Sequence, residues 1–405
     1  MNKRKSIVPK LRFPEFDNSK WAITQLSTFA DKITDRNKNN DVSRVFTNSA
    51  IEGVVDQEDY FDRDIANKSN LTNYFVIKKG DYVYNPRVSV AAPVGPISKN
   101  KLGTGVMSPL YTVFRFRNRD NDFYEQFFLT NLWHAYIKNL SNTGARHDRI
   151  TISIDNFMKM PLPYASPEEQ QKIAVCLSSI DDLIDAESRK LKALKKYKKG
   201  LMQKLFPTAG KTLPEWRFPE FVGKSEWCIN PLGKICINYD SKRIPITEKD
   251  RVAGDIPYIG ASGVIDYINN FIFDEELLCV SEDGANLIAR TYPIAFSISG
   301  KTWVNNHAHV LKFKYKHTQS MVESYLNMID LRDFLTGMAQ PKLNRAKLDN
   351  IPIPLPDDSE QQKIVDWLSE IDFLIVSQSN KIEELKIHKK GLMQGLFPSL
   401  EEADV

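Results

Sequence analysis

Glu169–Pro207 reads EQQKIAVCLSSIDDLIDAESRKLKALKKYKKGLMQKLFP, and Glu360–Pro398 reads EQQKIVDWLSEIDFLIVSQSNKIEELKIHKKGLMQGLFP. The offset is a constant 191 residues without a gap, and 23 of the 38 positions from Gln170 to Pro207 are identical. Such identity is a duplication, and duplicated segments define the architecture before any local reading does. Ile173, Leu177, Ile180, Ile184, Leu191, Leu194, Leu201 and Leu205 follow a 4,3 spacing, with Glu187 and Lys198 filling the two gaps. This is the apolar seam of a heptad repeat. The second copy repeats it through Ile364, Leu368, Ile371, Ile375, Ile382, Leu385, Leu392 and Leu396, with Gln378 and Lys389 in the gaps. Polar seam residues cost stability and can select register and partner.

Helix starts and stops are equally legible. Ser166-Pro167-Glu168-Glu169 offers an N-cap, a proline at the first helical position and acids in the first turn; Asp358 or Ser359 before Glu360 does the same for the second copy. Pro207 and Pro398 end both. A helix of about 37 residues is ~55 Å long at 1.5 Å per residue. Two such helices in one chain pair most simply antiparallel, which predicts two domains at opposite ends of a rod and a pseudo-two-fold axis. A plain dimerisation coiled coil is the simpler alternative, but it does not require that anything else be duplicated.

Something else is duplicated. Leu11-Arg12-Phe13-Pro14-Glu15-Phe16 returns as Trp216-Arg217-Phe218-Pro219-Glu220-Phe221. A tryptophan follows each (Trp21, Trp227), and a leucine five residues later (Leu26, Leu232). The repeated unit is thus a short leader, a domain and a helix. The expected boundaries are 1–164 for the first leader and domain, 165–207 for the first helix, 208–356 for the second leader and domain, and 357–405 for the second helix and tail. The frame stayed alike while the domains diverged.

Composition narrows the functional classes. The chain has 405 residues, too many for one core, and is 42% hydrophobic and 26% charged, which suits folded globular domains. No apolar run reaches the ~20 residues that cross a bilayer, and MNKRKSIVPK lacks the apolar stretch of a signal peptide. Cys176, Cys228, Cys236 and Cys279 contain no CxxC pair, which argues against a thiolate zinc site and for a reducing cytoplasm. A net charge of +4 is compatible with nucleic acid without pointing to it.

Both variable domains read as α+β, each a mixed sheet plus helices. In the first, strands are expected near Tyr74 to Ile77, Tyr82 to Tyr84 and Tyr111 to Phe116, with a helix from Phe123 to Lys138. In the second, strands are expected at Ile256 to Ile259, Leu277 to Ser281, Ile294 to Ser297 and Ala308 to Lys314, with a helix near Met321 to Thr336. Each ends in a Gly-containing loop, 143–149 or 336–345, and a Pro-Leu-Pro exit.

Catalytic constellations are missing from the sequence. Tyr84-Asn85-Pro86-Arg87 approaches an adenine-methyltransferase base pocket but lacks its second proline and aromatic. Ala295 to Thr302 matches a P-loop only laxly, with alanine for the first glycine and no helix signal after it. His307 and His309 are spaced as strand neighbours on one face, without a sequence-adjacent acid or cysteine; a polar-core or DNA-facing role suits them better than a metal site. No catalytic residue and no metal ligand is therefore expected, and a stand-alone methyltransferase or nuclease is disfavoured. A coiled-coil adaptor without base readout is the alternative.

The RFPEF leader, the EQQKI helix start, the KKGLMQ helix end and their tandem arrangement resemble the specificity subunit of type I restriction-modification enzymes. In the second domain, Ile256-Pro257-Tyr258-Ile259-Gly260-Ala261-Ser262-Gly263, Val304-Asn305-Asn306-His307-Ala308-His309 and Gly337-Met338-Ala339-Gln340-Pro341-Lys342-Leu343 look like segments of that family's target-recognition domains. The first domain departs more, with Arg146-His147 aligned against Gln340-Pro341. The resemblance implies a non-catalytic subunit. Each domain would read one half of a split, asymmetric site in double-stranded DNA, and the helices would set the gap and hold two modification subunits. S-adenosylmethionine, ATP and Mg would belong to those modification subunits and to restriction subunits with translocase and nuclease parts, none to this chain. With the cysteine pattern and the lack of a long apolar run, a cytoplasmic protein with no membrane partner is expected.

Base reading uses Arg, Lys, Asn, Gln, Ser or Thr on loops that reach groove edges. The DNA-binding candidates in the first domain are Arg87, Ser89, Lys99, Lys101, Ser108, Arg146, His147 and Arg149. In the second they are Ser262, Asn286, Arg290, Lys301, Trp303, Asn305, Asn306, Gln340, Lys342 and Arg345. The run Lys190, Lys192, Lys195, Lys196, Lys198 and Lys199 suits a helix C-terminus, as a solvated face or as a phosphate or partner contact.

Overall fold

The computed structural model describes residues 6–60, 71–140, 142–143, 148–208, 210–337 and 340–399. The chain divides into two compact units, residues 1–186 with 381–405, and residues 187–380. Both cuts fall inside the repeated helices, which run Pro167–Leu205 and Asp358–Leu396, 39 residues each. Each unit is thus one variable domain plus part of both helices.

The helices are antiparallel within each unit. In the second unit Lys198 Nζ lies 2.5 Å from Asp372 Oδ1, and Gln378 Nε2 donates to Glu187 Oε2 at 2.6 Å, so one residue number rises as the other falls. In the first unit Lys389 Nζ donates to both oxygens of Asp181 at 2.7 Å. Asp181 and Asp372 are equivalent in the repeat, as are Lys198 and Lys389. The polar seam residues therefore meet defined acceptors. Sliding one helix by a heptad would put Ala174 or Ser188 in place of Asp181 opposite Lys389, and Val365 or Ser379 in place of Asp372 opposite Lys198, so these pairs specify register. Lys198 is thus assigned to helix pairing. The first helix is capped by Ser166 Oγ, which accepts from Glu169 N at 3.3 Å. The second is capped by Asp357, whose Oδ1 accepts from Glu360 N at 3.0 Å, rather than by Asp358 or Ser359. Asp357 is the repeat equivalent of Ser166.

The two domains share one strand order. In the first, Gly53–Asp56, Val45–Ser49, Gly105–Met107 and Phe75–Ile77 form a mixed sheet whose middle pair is parallel. In the second, Gly263–Ile268, Ala253–Gly260, Lys301–Val304 and Phe273–Asp274 do the same. An antiparallel sheet of Ala30–Lys32, Thr112–Phe116, Tyr82–Tyr84 and Ile97–Lys99 corresponds to Ile237–Asn238, Ala308–Lys312, Leu277–Ser281 and Ala295–Ile298. The Pro-rich exits pair back onto the entry strands, Pro161–Tyr164 with Trp21–Gln25 and Pro352–Leu355 with Cys228–Pro231.

Two helix expectations change. The first is broken into Asp122–Phe128 and His134–Leu140, because Thr130 Oγ1 donates back to Phe127 O and ends the first turn run. The second runs Lys316–Met328, and Ile329 is extended before a 3-10 turn at Arg332–Phe334. The cores explain the echoed residues. Trp21, Leu26, Trp227 and Leu232 are all buried, and Leu26 N and Leu232 N donate to Met160 O and Ile351 O at 2.9 Å. Phe123, Phe127 and Phe157 pack with Ile173, Leu177, Leu396 and Phe397 in one unit. Leu278, Met321 and Leu326 pack with Leu205, Phe206, Ile364 and Leu368 in the other.

The leaders clamp the helices. Arg12 donates Nε and an NH2 proton to the two carboxylate oxygens of Glu169, each at 2.8 Å, and Arg217 does the same to Glu360 at 2.7 Å. Both pairs are buried, with side chains no more than 9% exposed. Leu11 N donates to Gly395 O and Trp216 N to Lys204 O, both at 2.9 Å. Each leader thus binds the start of one helix and the end of the other. The two sequence echoes are the two faces of one contact, which is why they were kept together.

Candidate nucleic-acid interface

In the second unit three loop segments converge. Ala253–Gly260 turns through Ala261 and Ser262 into Gly263–Ile268, with Gly263 at φ +111°, a backbone region that glycine occupies without strain. Asn305 N donates to Ile259 O at 3.0 Å, Ser281 Oγ to Ala261 O at 2.6 Å and Glu282 N to His307 O at 2.9 Å. Leu343 N donates to Glu282 O at 2.8 Å and Gly284 N to Pro341 O at 3.1 Å. The segments 259–261, 305–307 and 341–343 are therefore tied around 281–284.

The first unit repeats this tie. Ile150 N donates to Pro86 O at 2.9 Å and Val88 N to Asp148 O at 3.0 Å, bracketing an Arg87–Arg149 bridge as the bonds above bracket an Asp283–Lys342 bridge. Arg149 consequently stands at the place of Lys342, and Arg87 at that of Asp283. Asp148, not His147, matches Pro341. The loop alignment read from sequence shifts by one residue.

Beneath the second loop lies a charged network. His309 is buried; its Nδ1 faces Asp240 Oδ2 at 2.6 Å and its Nε2 faces Leu343 O at 2.7 Å. Both ring nitrogens thus face oxygen atoms of the fold. Arg243 NH1 donates to Glu282 Oε2 at 2.7 Å and Ala308 O at 2.8 Å. Burial pushes Asp240 upward, but the hydrogen bond and charge of His309, the Val310 N–H and Arg243 bring it net below its usual range. Glu282 is likewise raised by burial and lowered further by Arg243, His309 and Lys342. Asp240, Glu282 and His309 lie close enough to hold a metal ion. The Arg243 guanidinium already supplies the cation, and both nitrogens of His309 are occupied. These groups fit an internal ion-pair network better than a metal centre.

A family model described as the type I restriction modification DNA specificity domain matches residues 24–196 and 224–386, one copy for each unit of the repeat. The chain belongs to this specificity family. It is 36% identical over 149 residues to a putative type I restriction enzyme specificity subunit of Haemophilus influenzae, a match spanning 37% of this chain and 38% of that relative. It is 28% identical over 339 residues to a type I restriction enzyme specificity subunit of Methanocaldococcus jannaschii, covering 72% of this chain and 73% of the relative. Its fold is like that of the S subunit of a type I restriction-modification system from M. genitalium, with TM-score 0.60 and 13% identity over 97% of this chain and 100% of that one. A chain from a structure of the assembly and conformational transition of a type I system gives 0.56 and 15% over 95% and 97%.

Several candidates of this specificity subunit belong to its framework instead. Asn286 is buried; its Oδ1 accepts from Thr291 N and Oγ1 and from Tyr292 N, and its Nδ2 donates to Tyr292 O. Arg290 spends its guanidinium on the carbonyls of Leu287, Leu326 and Ile329. Trp303 is 8% exposed and donates Nε1 to Ile244 O at 2.6 Å. Asn305 is buried and its Oδ1 accepts from His307 N. The polar groups of Asn286, Arg290 and Trp303, and the Oδ1 of Asn305, are thus bonded inside the fold. Lys99 and Lys101 pair with Asp122 and Glu125 of a neighbouring helix. Ser89 and Ser108 accept from Ala92 N and Leu110 N and shape their own turns. Arg345 faces Asp349 at 3.5 Å, one helical turn away.

At the rim remain Ser262, Asn306, Gln340 and Lys342, all exposed, with Arg87 and the half-exposed Arg149 in the first domain. Lys301 is exposed on another strand, with Nζ 4.9 Å from the Phe271 ring centre. Arg146 and His147 lie outside the described residues. The sequence reading missed Tyr292, 46% exposed, whose hydroxyl accepts from Ser262 Oγ at 3.2 Å. It also missed Asp240, Arg243 and Glu282: Arg243 meets Glu282 across 39 residues of chain and Asp240 meets His309 across 69, separations without a local signal.

Proposed function

We propose that this specificity subunit reads a bipartite, asymmetric target in double-stranded DNA, one domain to each half, without catalysing a reaction itself. The observation that carries this is the loop bridge, built in the same register in both units but with Arg87 and Arg149 in one and Asp283 and Lys342 in the other. A common frame with different side chains at its rim is what two different half-sites require, since base edges are told apart by donor and acceptor pattern. The repeated helices hold two modification subunits, and restriction subunits complete the assembly. S-adenosylmethionine, ATP and Mg act on those partners. Among the described residues no helix is long and apolar enough to cross a membrane.

The test reconstitutes the chain with its modification subunits and measures binding to duplexes carrying the motif methylated in the host cell. Scrambling either half should weaken binding, and scrambling the spacer at constant length should not. Equal binding to all these duplexes would support the coiled-coil adaptor instead.

A further inference from the structure

We infer that Glu282 is a specificity-determining positioning residue of the second domain: it sets where Lys342 sits on the rim, and Arg243, Asp240 and His309 hold Glu282 in place. This rests on the reading that the rim meets DNA. Glu282 is shared between two cations. Its Oε2 accepts from Arg243 NH1 at 2.7 Å, and its Oε1 lies 3.2 Å from Lys342 Nζ. The Glu282 side chain is 13% exposed, whereas that of Lys342 is 51% exposed, so the anion is interior and the cation reaches outward.

The backbone is pinned at the same point. Leu343 N donates to Glu282 O, and Leu343 O faces His309 Nε2 at 2.7 Å. Asp240 closes the set, facing both His309 Nδ1 at 2.6 Å and Arg243 NH2 at 3.5 Å. A lysine is a point charge on a flexible four-carbon stem. Left free, it would reach phosphates of any sequence, and phosphate contacts carry no sequence information. A carboxylate beneath it restricts its reach and offsets part of its charge. The arrangement exchanges non-specific attraction for a defined position.

The first domain lacks this device. Ile33 N donates to Val113 O as Tyr239 N donates to Val310 O, and Thr112 pairs with Tyr84 as His309 pairs with Val280. That register puts Thr34, Pro86 and Thr112 at the places of Asp240, Glu282 and His309. Position 86 therefore offers Arg149 no carboxylate, and the effect of Glu282 is confined to one half-site.

The experiment uses the full chain assembled with its modification subunits, and duplexes with the intact site or with either half scrambled. Glu282→Gln should reduce discrimination against a scrambled second-domain half by about tenfold, within the range of one base contact. It should strengthen binding to unrelated duplex and leave first-domain discrimination within about twofold, since Glu282 shares no partner with that domain's readers. In a Lys342→Met background, Glu282→Gln should change nothing further, because its effect passes through that lysine. Unchanged discrimination, equal loss at both halves, or the same loss without Lys342 would overturn the inference. If Glu282→Gln fails to assemble, Glu282→Asp keeps the charge on a shorter stem. It should give a smaller loss coupled to Lys342 in the same way, and an uncoupled loss overturns the inference. A wild-type complex that ignores both half-sites would overturn the underlying reading first, and this inference with it.

Discussion

The two recognition domains have the same strand order and the same loop tie, yet differ in what the tie stands on. The first rests on Thr34, Pro86 and Thr112 and presents Arg87 and Arg149. The second rests on Asp240, Glu282, Arg243 and His309 and presents Lys342 beside Asp283. The contrast teaches that strand order and loop tie were retained while the side chains that they carry diverged. By comparison, the leaders and helix starts, Arg12–Glu169 and Arg217–Glu360, kept both residues and geometry. The proposed reading of two different half-sites calls for different rims, whereas the clamp calls for the same contact twice.

The clamps should give the largest effects. Arg12→Ala leaves Glu169 buried without its partner, and Arg217→Ala does the same to Glu360. Breaking a buried pair costs about 3–5 kcal/mol. Each substitution should raise hydrogen exchange in its own unit, by similar amounts for the two. A loss under about 1 kcal/mol in either would show that the clamps are unequal despite their geometry.

Trp303 and Lys342 separate framework from rim. Trp303→Ala removes a large buried side chain and should cost about 3–5 kcal/mol of stability. Lys342→Ala should alter stability by less than about 0.5 kcal/mol. It should instead weaken DNA binding, by about 1–3 kcal/mol with one position relaxed if it meets a base edge. If it meets a phosphate, all sequences weaken alike and the salt slope falls by about one. Arg149→Ala, at the equivalent place, should act only on the other half-site. Titration of binding against salt, on both half-scrambled duplexes, reads all of these.

How much of this was legible follows from the range of each signal. The helices, their seam and their caps could be read because heptads and capping residues act within a few positions; even so the second cap fell on Asp357, one residue before the expected pair. Strands such as Tyr82–Tyr84 and Leu277–Ser281 were legible from local pattern. The candidate rim was legible only in part. Asn286 and Arg290 have the donors of a base reader, but their partners are carbonyls and amides in neighbouring turns and helix ends, which composition does not reveal. Glu282 carried no local signal, because its cations, Arg243 and Lys342, lie 39 and 60 residues away in the chain.

A smaller effect concerns acid. Asp240 and Glu282 are held net below their ordinary values, so the stability they contribute is present above those values and is lost as pH falls through the depressed ones. The stability gap between wild type and Glu282→Gln should therefore shrink as pH falls from about 5 to about 3. Thermal unfolding across that range checks it; a constant gap would mean that the Glu282 charge contributes nothing to folding.

The independence of the two readers is tested most directly by exchanging one domain. Residues 22–164 are replaced by the corresponding stretch of another specificity subunit, between the retained Trp21 and the retained helix, and the methylated motif is sequenced in cells carrying the chimera with its modification subunits. The account predicts a motif in which one half is new and the other half is the parent's. The reciprocal exchange of residues 228–356 should alter the other half alone. A chimera that methylates DNA with both halves changed, or with neither changed, would contradict it.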